Sequence, residues 1–152
     1  MKVGHTVKDF TLQDTQGQSL NLSELLENGK ALILFFPLAF SSVCTDEMCH
    51  FRDNKKLYNS MDANILGISV DSFFTLREFK RANNFPFPFV SDFNKEVSRQ
   101  FGVLYEDYYG MKGVAKRSAF VINEDKIVEY AEVLDDSGSL PDFKAIQKVL
   151  EK

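Results

Sequence analysis

The feature that most constrains the fold is a continuous apolar run at residues 31–36, which ends at Pro37. A strand that is apolar on both faces must be covered on both sides, as in sheets that are flanked by helices. From Ser42 the spacing of apolar residues changes to that of a helix, whose face continues through Phe51 to Tyr58. The sequence therefore predicts a buried strand, a short loop and a helix.

The rest of the chain alternates strands with helices. We predict two short extended pieces around a turn within residues 8–22, a helical turn from Leu22, a strand at 64–70, a helix from Ser72 or Thr75 to Ala82, an extended segment at 85–90, a short helix from Asp92 or Asn94 to Phe101, strands at 117–123 and 126–133, and a final helix from Pro141. This order predicts an α/β fold with a mixed sheet. No linker or repeat divides the chain, so we predict a single domain over residues 1–152.

Composition excludes several classes of protein. The net charge is −4 and the isoelectric point is near 5.2, whereas a nucleic-acid-binding protein needs a basic face. Anionic membrane surfaces are equally poor partners for an acidic chain. The first residues lack the apolar stretch of a secretory signal, and the longest apolar run is too short to span a bilayer. We therefore expect a cytoplasmic protein, in a compartment that keeps thiols reduced.

The only two cysteines, Cys44 and Cys49, lie close together at the start of the predicted helix. In a reducing compartment, two such thiols are more typical of a metal site or a catalytic pair than of a structural disulfide. A zinc site could use both cysteines with His50, but a second pair of ligands is missing, and the only other histidine is His5. A thioredoxin-type exchanger has two residues between its cysteines instead of four. The simplest alternative is that both thiols pack as small apolar side chains.

The position of Cys44 favours reactivity. It follows Ser41 and Ser42 and precedes Thr45, at the junction of a strand, a loop and a helix. The positive end of a helix dipole favours a thiolate, and a polar neighbourhood predicts that the thiol is exposed. Core packing remains the simpler interpretation of Cys49, which lies one turn further along the helix.

Several motifs resemble those of the peroxiredoxins. The stretch PLAFSSVC, which ends at Cys44, resembles their signature: a proline, a threonine or serine four residues later, and a cysteine three beyond. Its continuation CTDEMC resembles the bacterioferritin-comigratory (Q-type) members, and the preceding FFPLAF resembles the E-type alkyl hydroperoxide reductases. Further similar segments along nearly the whole chain are DFTL, ISVD, FVSD and RSAFVI. The serine of the signature, Ser41, replaces the commoner threonine and keeps its hydroxyl.

The resemblance implies a thioredoxin-like fold of the peroxiredoxin type and a thiol-dependent peroxidase that needs no flavin, haem or metal. It implies that Cys44 is the peroxidatic thiol and that Cys49 is the resolving thiol of an intramolecular disulfide.

The resemblance also implies the remaining site residues. Pro37, Ser41 and Arg117 would form the peroxide site. Glu47 either orients Arg117 through a salt bridge or lies on a solvated helix face.

The expected partners are a peroxide and a dithiol reductant such as thioredoxin or glutaredoxin, with no nucleic acid or membrane. The sequence leaves open whether the chain is a monomer or a homodimer. It also leaves open two other functions: a one-cysteine peroxidase in which Cys49 is structural, and a non-enzymatic redox sensor or chaperone.

Overall fold

A mixed sheet of seven strands organises the computed structural model, which describes all residues from 1 to 152. The strands are β1 (Thr11–Asp14), β2 (Ser19–Asn21), β3 (Lys30–Phe35), β4 (Ala63–Ser69), β5 (Phe89–Ser91), β6 (Arg117–Ile122) and β7 (Val128–Leu134). Their order in the sheet is β2-β1-β5-β4-β3-β6-β7. Strands β3, β4 and β5 are parallel, whereas the other pairings are antiparallel. The predicted α/β class with a mixed sheet is confirmed.

Helices cover both faces of this sheet. They are α1 (Leu22–Leu25), α2 (Ser42–Asp53), α3 (Lys55–Ser60), α4 (Phe73–Asn83), α5 (Glu96–Phe101) and α6 (Phe143–Leu150), with a 3₁₀ turn at Leu26–Asn28. Strand β3 is central, and its alternate side chains enter two separate apolar cores. Leu32 and Leu34 pack with α2, α3, α4 and α6, while Ile33 and Phe35 pack with α1 and α5. No helix is long and apolar enough to cross a bilayer.

Several boundaries differ from the sequence predictions, and α5, β7 and α6 each begin a few residues later than expected. The helical face expected to continue to Tyr58 is interrupted at Asn54, where α2 ends and α3 begins. The Asn54 side chain donates to the carbonyl of His50 (2.8 Å), and such local bonds compete with a continuous helix. The extended segment at 85–90 contributes only a short strand, β5, because its prolines have no N–H to donate to a sheet.

The pairing of β6 with β3 determines what lies at one edge of the sheet. The two strands are antiparallel, so the start of β6 lies beside the end of β3, with Ser118 opposite Phe35. Arg117, the first residue of β6, is therefore next to the loop that leads from β3 into α2. Strand β7 ends opposite Arg117, at Leu134, so the segment that follows β7 reaches the same edge.

Candidate active site

Cys44 is the third residue of α2, which begins after Ser41. Ser41 has extended backbone angles, and its carbonyl accepts the N–H of Thr45 (3.0 Å), which closes the first turn. The thiol is completely buried in the apolar core between α2 and the sheet. The expectation of an exposed thiol was wrong, because the first turn of α2 presents this position to the sheet and not to solvent.

The Arg117 guanidinium joins Cys44 to Glu47. Its Nη2 donates to the Cys44 sulfur (3.3 Å) and its Nη1 donates to Glu47 Oε1 (2.7 Å). Arg117 is 1% exposed and Glu47 is 0% exposed, so neither charged side chain lies on a solvated face. The structure thus brings together three of the residues singled out from the sequence.

Burial shifts the pKa of the carboxyl group in this ion pair. Desolvation raises the pKa of Glu47 to about 7, despite the opposing attraction of Arg117, and Glu132 on β7 adds repulsion. Desolvation alone would lower the pKa of Arg117, but Glu47 and Cys44 together raise it. Glu47 Oε2 and Arg117 Nε have no hydrogen-bond partner. One buried guanidinium therefore lies between a thiol and a carboxyl group, and burial favours the neutral form of that carboxyl group.

The loop between β3 and α2 is fixed at the end of β4. The amide of Ala39 donates to Asp71 Oδ2 (2.8 Å), and the same oxygen accepts the Ser69 hydroxyl (2.7 Å). Pro37 is buried within this loop. The hydroxyl of Ser41 donates to the carbonyl of Leu38 (2.8 Å), so its lone pairs remain available to accept a hydrogen bond.

The segment after β7 completes the site, and no sequence pattern indicates this. The carbonyl of Ser137 accepts a hydrogen bond from Arg117 Nη2 (3.0 Å). A cleft of about 330 Å³ opens beside Arg117 and is bounded by residues 41–43, 108–109 and 136–138. Ser137 contributes a backbone carbonyl, which every residue type possesses, so no sequence signal could have identified it.

Cys49 lies on α2 with Cys44 but forms no hydrogen bond with Arg117. It is half-buried, packs against the same core, and is a free thiol like Cys44. The zinc ligands considered from the sequence do not converge, because His50 Nε2 lies 3.0 Å from the Tyr58 hydroxyl and its ring stacks on Phe143.

Comparisons with known proteins agree on one family. Residues 3–131 match the AhpC/TSA family. Alkyl hydroperoxide reductase E of Mycobacterium bovis is 34% identical over 135 residues, which cover 88% of this chain and 86% of the relative. A chloroplastic 2-cysteine peroxiredoxin of Chattonella marina is 32% identical over 143 residues, covering 88% and 71%. The crystal structure of peroxidoxin BcpB from Mycobacterium tuberculosis has a TM-score of 0.90 at 35% identity, covering 99% of this chain and 96% of that one.

The raised pKa of Glu47 predicts how stability depends on pH. The folded state binds this proton more tightly than the unfolded state, so the contribution is fully present below the ordinary pKa of 4.5 and is lost as the pH rises through about 7. The stability of the Glu47→Gln variant relative to that of the wild type should therefore be higher at about pH 8 than at about pH 5. The expected increase is on the order of 1–3 kcal/mol in the free energy of unfolding. Denaturant unfolding of the reduced proteins at the two pH values measures this.

The matched control is Glu124→Gln, in the exposed turn between β6 and β7. Its difference from the wild type should be the same at both pH values. A Glu47→Gln difference that does not change with pH would contradict the raised pKa.

Proposed function

The chain belongs to the AhpC/TSA family, whose members named above are peroxiredoxins and alkyl hydroperoxide reductases, and we propose that Cys44 is the nucleophile of its peroxidase reaction. It is a thiol peroxidase, an enzyme that reduces peroxides with electrons from a thiol reductant. The observation that carries the assignment of Cys44 is the buried contact of 3.3 Å between its sulfur and Arg117 Nη2.

The first step is a displacement at oxygen. The Cys44 thiolate attacks the terminal oxygen of the hydroperoxide, so that an S–O bond forms and the O–O bond breaks. Alkoxide or hydroxide leaves and takes a proton from solvent. Cys44 is oxidised to a sulfenic acid, and the peroxide is reduced to an alcohol or water.

The surrounding groups match the charge that develops in this step. Arg117 lies against the sulfur and would stabilise negative charge as the O–O bond breaks. The N–H groups of Val43 and Cys44 lie in the first turn of α2, where backbone donors have no partner within the helix. The lone pairs of Ser41 can accept the O–H of a hydroperoxide. Buried Pro37 helps to exclude water from the site.

Glu47 is a positioning residue in this proposal. Its bond to Nη1 fixes one edge of the Arg117 guanidinium, and Nη2 is left to face the sulfur. Because Glu47 and the carbonyl of Ser137 already hold the guanidinium, it loses little conformational freedom when it binds a reacting group.

Cys49 is proposed to resolve the sulfenic acid by attacking its sulfur, which forms a disulfide and releases water. Helix α2 is unbroken from Ser42 to Asp53. Positions five apart in such a helix are separated by a rise of about 7.5 Å and point in different directions. A disulfide usually needs Cα atoms within about 7 Å. Part of α2 must therefore unwind before the bridge can close.

The contacts of α2 favour unwinding from its first turn. Its second half is fixed by the contacts of His50 with Tyr58 and Phe143, and by Arg52 Nη1, which donates to the carbonyl of Asn83 (2.8 Å). The first turn has no side-chain cap, because the hydroxyl of Ser41 bonds to Leu38. Helix ends open at low cost in free energy, so Cys44 would move toward Cys49. Thioredoxin, glutaredoxin or a similar dithiol would then reduce the disulfide.

The assignment of the nucleophile is tested with Cys44→Ser. Serine at its ordinary pKa is a poor nucleophile, so peroxide consumption with thioredoxin and its reductase should fall by at least about a thousandfold. Circular dichroism should remain that of the folded protein. Substantial turnover in this variant would show that another group reacts with peroxide. If the wild type is oxidised once by peroxide but does not turn over, the protein would instead be a redox sensor.

The role of Arg117 is tested with Arg117→Met and Arg117→Lys. Loss of one preorganised donor should slow the reaction of the reduced enzyme with hydrogen peroxide by about a hundredfold in the methionine variant. The lysine variant should lie between it and the wild type, since it keeps the charge. Arg99→Met, at an exposed position of α5, is the matched control and should react normally. Normal rates in both Arg117 variants would contradict the proposal.

Cys49→Ser tests the resolving step. This variant should consume a single equivalent of peroxide, stall as sulfenic acid and overoxidise faster than the wild type, because no thiol removes the sulfenic acid. Mass spectrometry of the oxidised wild type should show a Cys44–Cys49 link, and hydrogen exchange should increase at residues 42–47 more than at residues 50–53. Normal turnover of Cys49→Ser with thioredoxin would make the protein a one-cysteine peroxidase.

A further inference from the structure

The cleft beside Arg117 is lined by the residue that bonds to the buried Cys44 sulfur. Arg117 is 1% exposed, lines the cleft, and keeps one unpartnered donor, Nε. The sulfur is bonded by Arg117 Nη2 and has no exposed surface. A hydroperoxide that reaches the sulfur through this cleft would turn its peroxy group toward Arg117 and leave its organic substituent in the cleft.

One wall of the cleft is aromatic and is held in a defined position. Tyr108 and Met111 exchange two backbone hydrogen bonds (2.8 and 2.9 Å) around a turn of two residues, Tyr109 and Gly110. Tyr109 has a φ of 53°, a left-handed conformation that costs a bulky side chain on the order of 1 kcal/mol or more. Tyr109 is 84% exposed, so core packing does not explain this cost. Tyr108 stacks on Tyr105 with the ring centroids 4.8 Å apart.

The opposite wall carries a negative charge. Asp136 lines the cleft, and its Oδ1 accepts the N–H of Gly138 (2.9 Å), which fixes the carboxylate. Asp136 has no salt-bridge partner. Two neighbouring acids differ in this respect, since each is paired with a lysine: Asp107 with Lys112, and Asp135 with Lys116.

No cation in the cleft is free to receive an anionic substituent. Arg117 is the only basic residue that lines it, and its Nη1 and Nη2 already donate to Glu47, Cys44 and the carbonyl of Ser137. A carboxylate brought into the cleft would meet Asp136 without a compensating positive charge. The volume of about 330 Å³ is at the lower end of small-molecule sites and suits a group of about the size of one aromatic ring.

We propose that this cleft selects uncharged hydroperoxides with a compact apolar substituent and disfavours hydroperoxides that carry a carboxylate. Tyr108 and Tyr109 contact the substituent, and Asp136 repels anionic ones. The inference rests on the proposed function, because it assumes that peroxide reacts at Cys44.

The test compares two peroxides that differ by one charge, cumene hydroperoxide and its para-carboxylate. The rate of thiol loss in reduced wild type gives a second-order rate constant for each. The neutral compound should react about three- to tenfold faster at about 20 mM salt, and the ratio should approach unity at about 300 mM as the repulsion is screened. Equal rate constants at low salt would overturn the charge selectivity without any variant.

Variants then assign the selectivity to residues. Asp136→Asn should reduce the ratio of the rate constant for the neutral peroxide to that for the anionic peroxide by about twofold or more at low salt. The reason is that the substitution removes the unpaired charge. Asp125→Asn, in the turn at the far end of β6, is the matched control and should leave the ratio unchanged. Tyr109→Gly, which suits the left-handed backbone, should lower the rate with cumene hydroperoxide relative to hydrogen peroxide by several-fold.

Hydrogen peroxide separates the failure of this inference from the failure of the proposed function. If the wild type does not react with hydrogen peroxide at Cys44, the proposed function is wrong and this inference is wrong with it. If hydrogen peroxide reacts normally but Asp136→Asn and Tyr109→Gly change neither ratio, only the specificity assigned to this cleft is wrong.

Discussion

The structure of the site depends on one buried cation. The Arg117 guanidinium binds Cys44 and Glu47 on α2 and the carbonyl of Ser137 after β7, while its own backbone begins β6. Moving a charge out of water costs several kcal/mol unless partners compensate it. Removing one partner therefore leaves the other charge buried without compensation, which destabilises the fold. The ionic contacts that bring Arg117 to the thiol therefore also join three separate parts of the chain.

This arrangement links the redox state of Cys44 to the order of α2. Under the proposed cycle the sulfur of the reduced enzyme reacts as a thiolate beside Arg117, and their contact joins the first turn of α2 to the start of β6. Once the sulfur is bound to oxygen it no longer carries that charge, so the contact weakens. Under the proposed cycle, oxidation loosens the turn that must open, whereas the contacts of His50 and Arg52 keep the second half of α2 in place.

The sequence predicted the scaffold better than the details of the site. The apolar run at 31–36 predicted β3 to within one residue, because a central strand needs apolar side chains on both faces. The motif resemblance pointed to Cys44 and Arg117 and left Glu47 open between a salt bridge and a solvated helix face, and the structure brings all three together. The burial of the thiol was not predicted, since it depends on which face of the first turn packs on the sheet. The cleft joins segments far apart in the sequence, and no local pattern marks it.

The loop after β7 connects the proposed chemistry of the site with its proposed selectivity. Ser137 holds Arg117 through its carbonyl, and the preceding residue, Asp136, lines the cleft. The backbone between them is short and is fixed by the bond from Gly138 to Asp136. A change in this loop that repositions the carboxylate must also move the carbonyl that holds Arg117. The charge selectivity proposed for the cleft is therefore altered most cleanly by exchanging the Asp136 side chain within an unchanged loop.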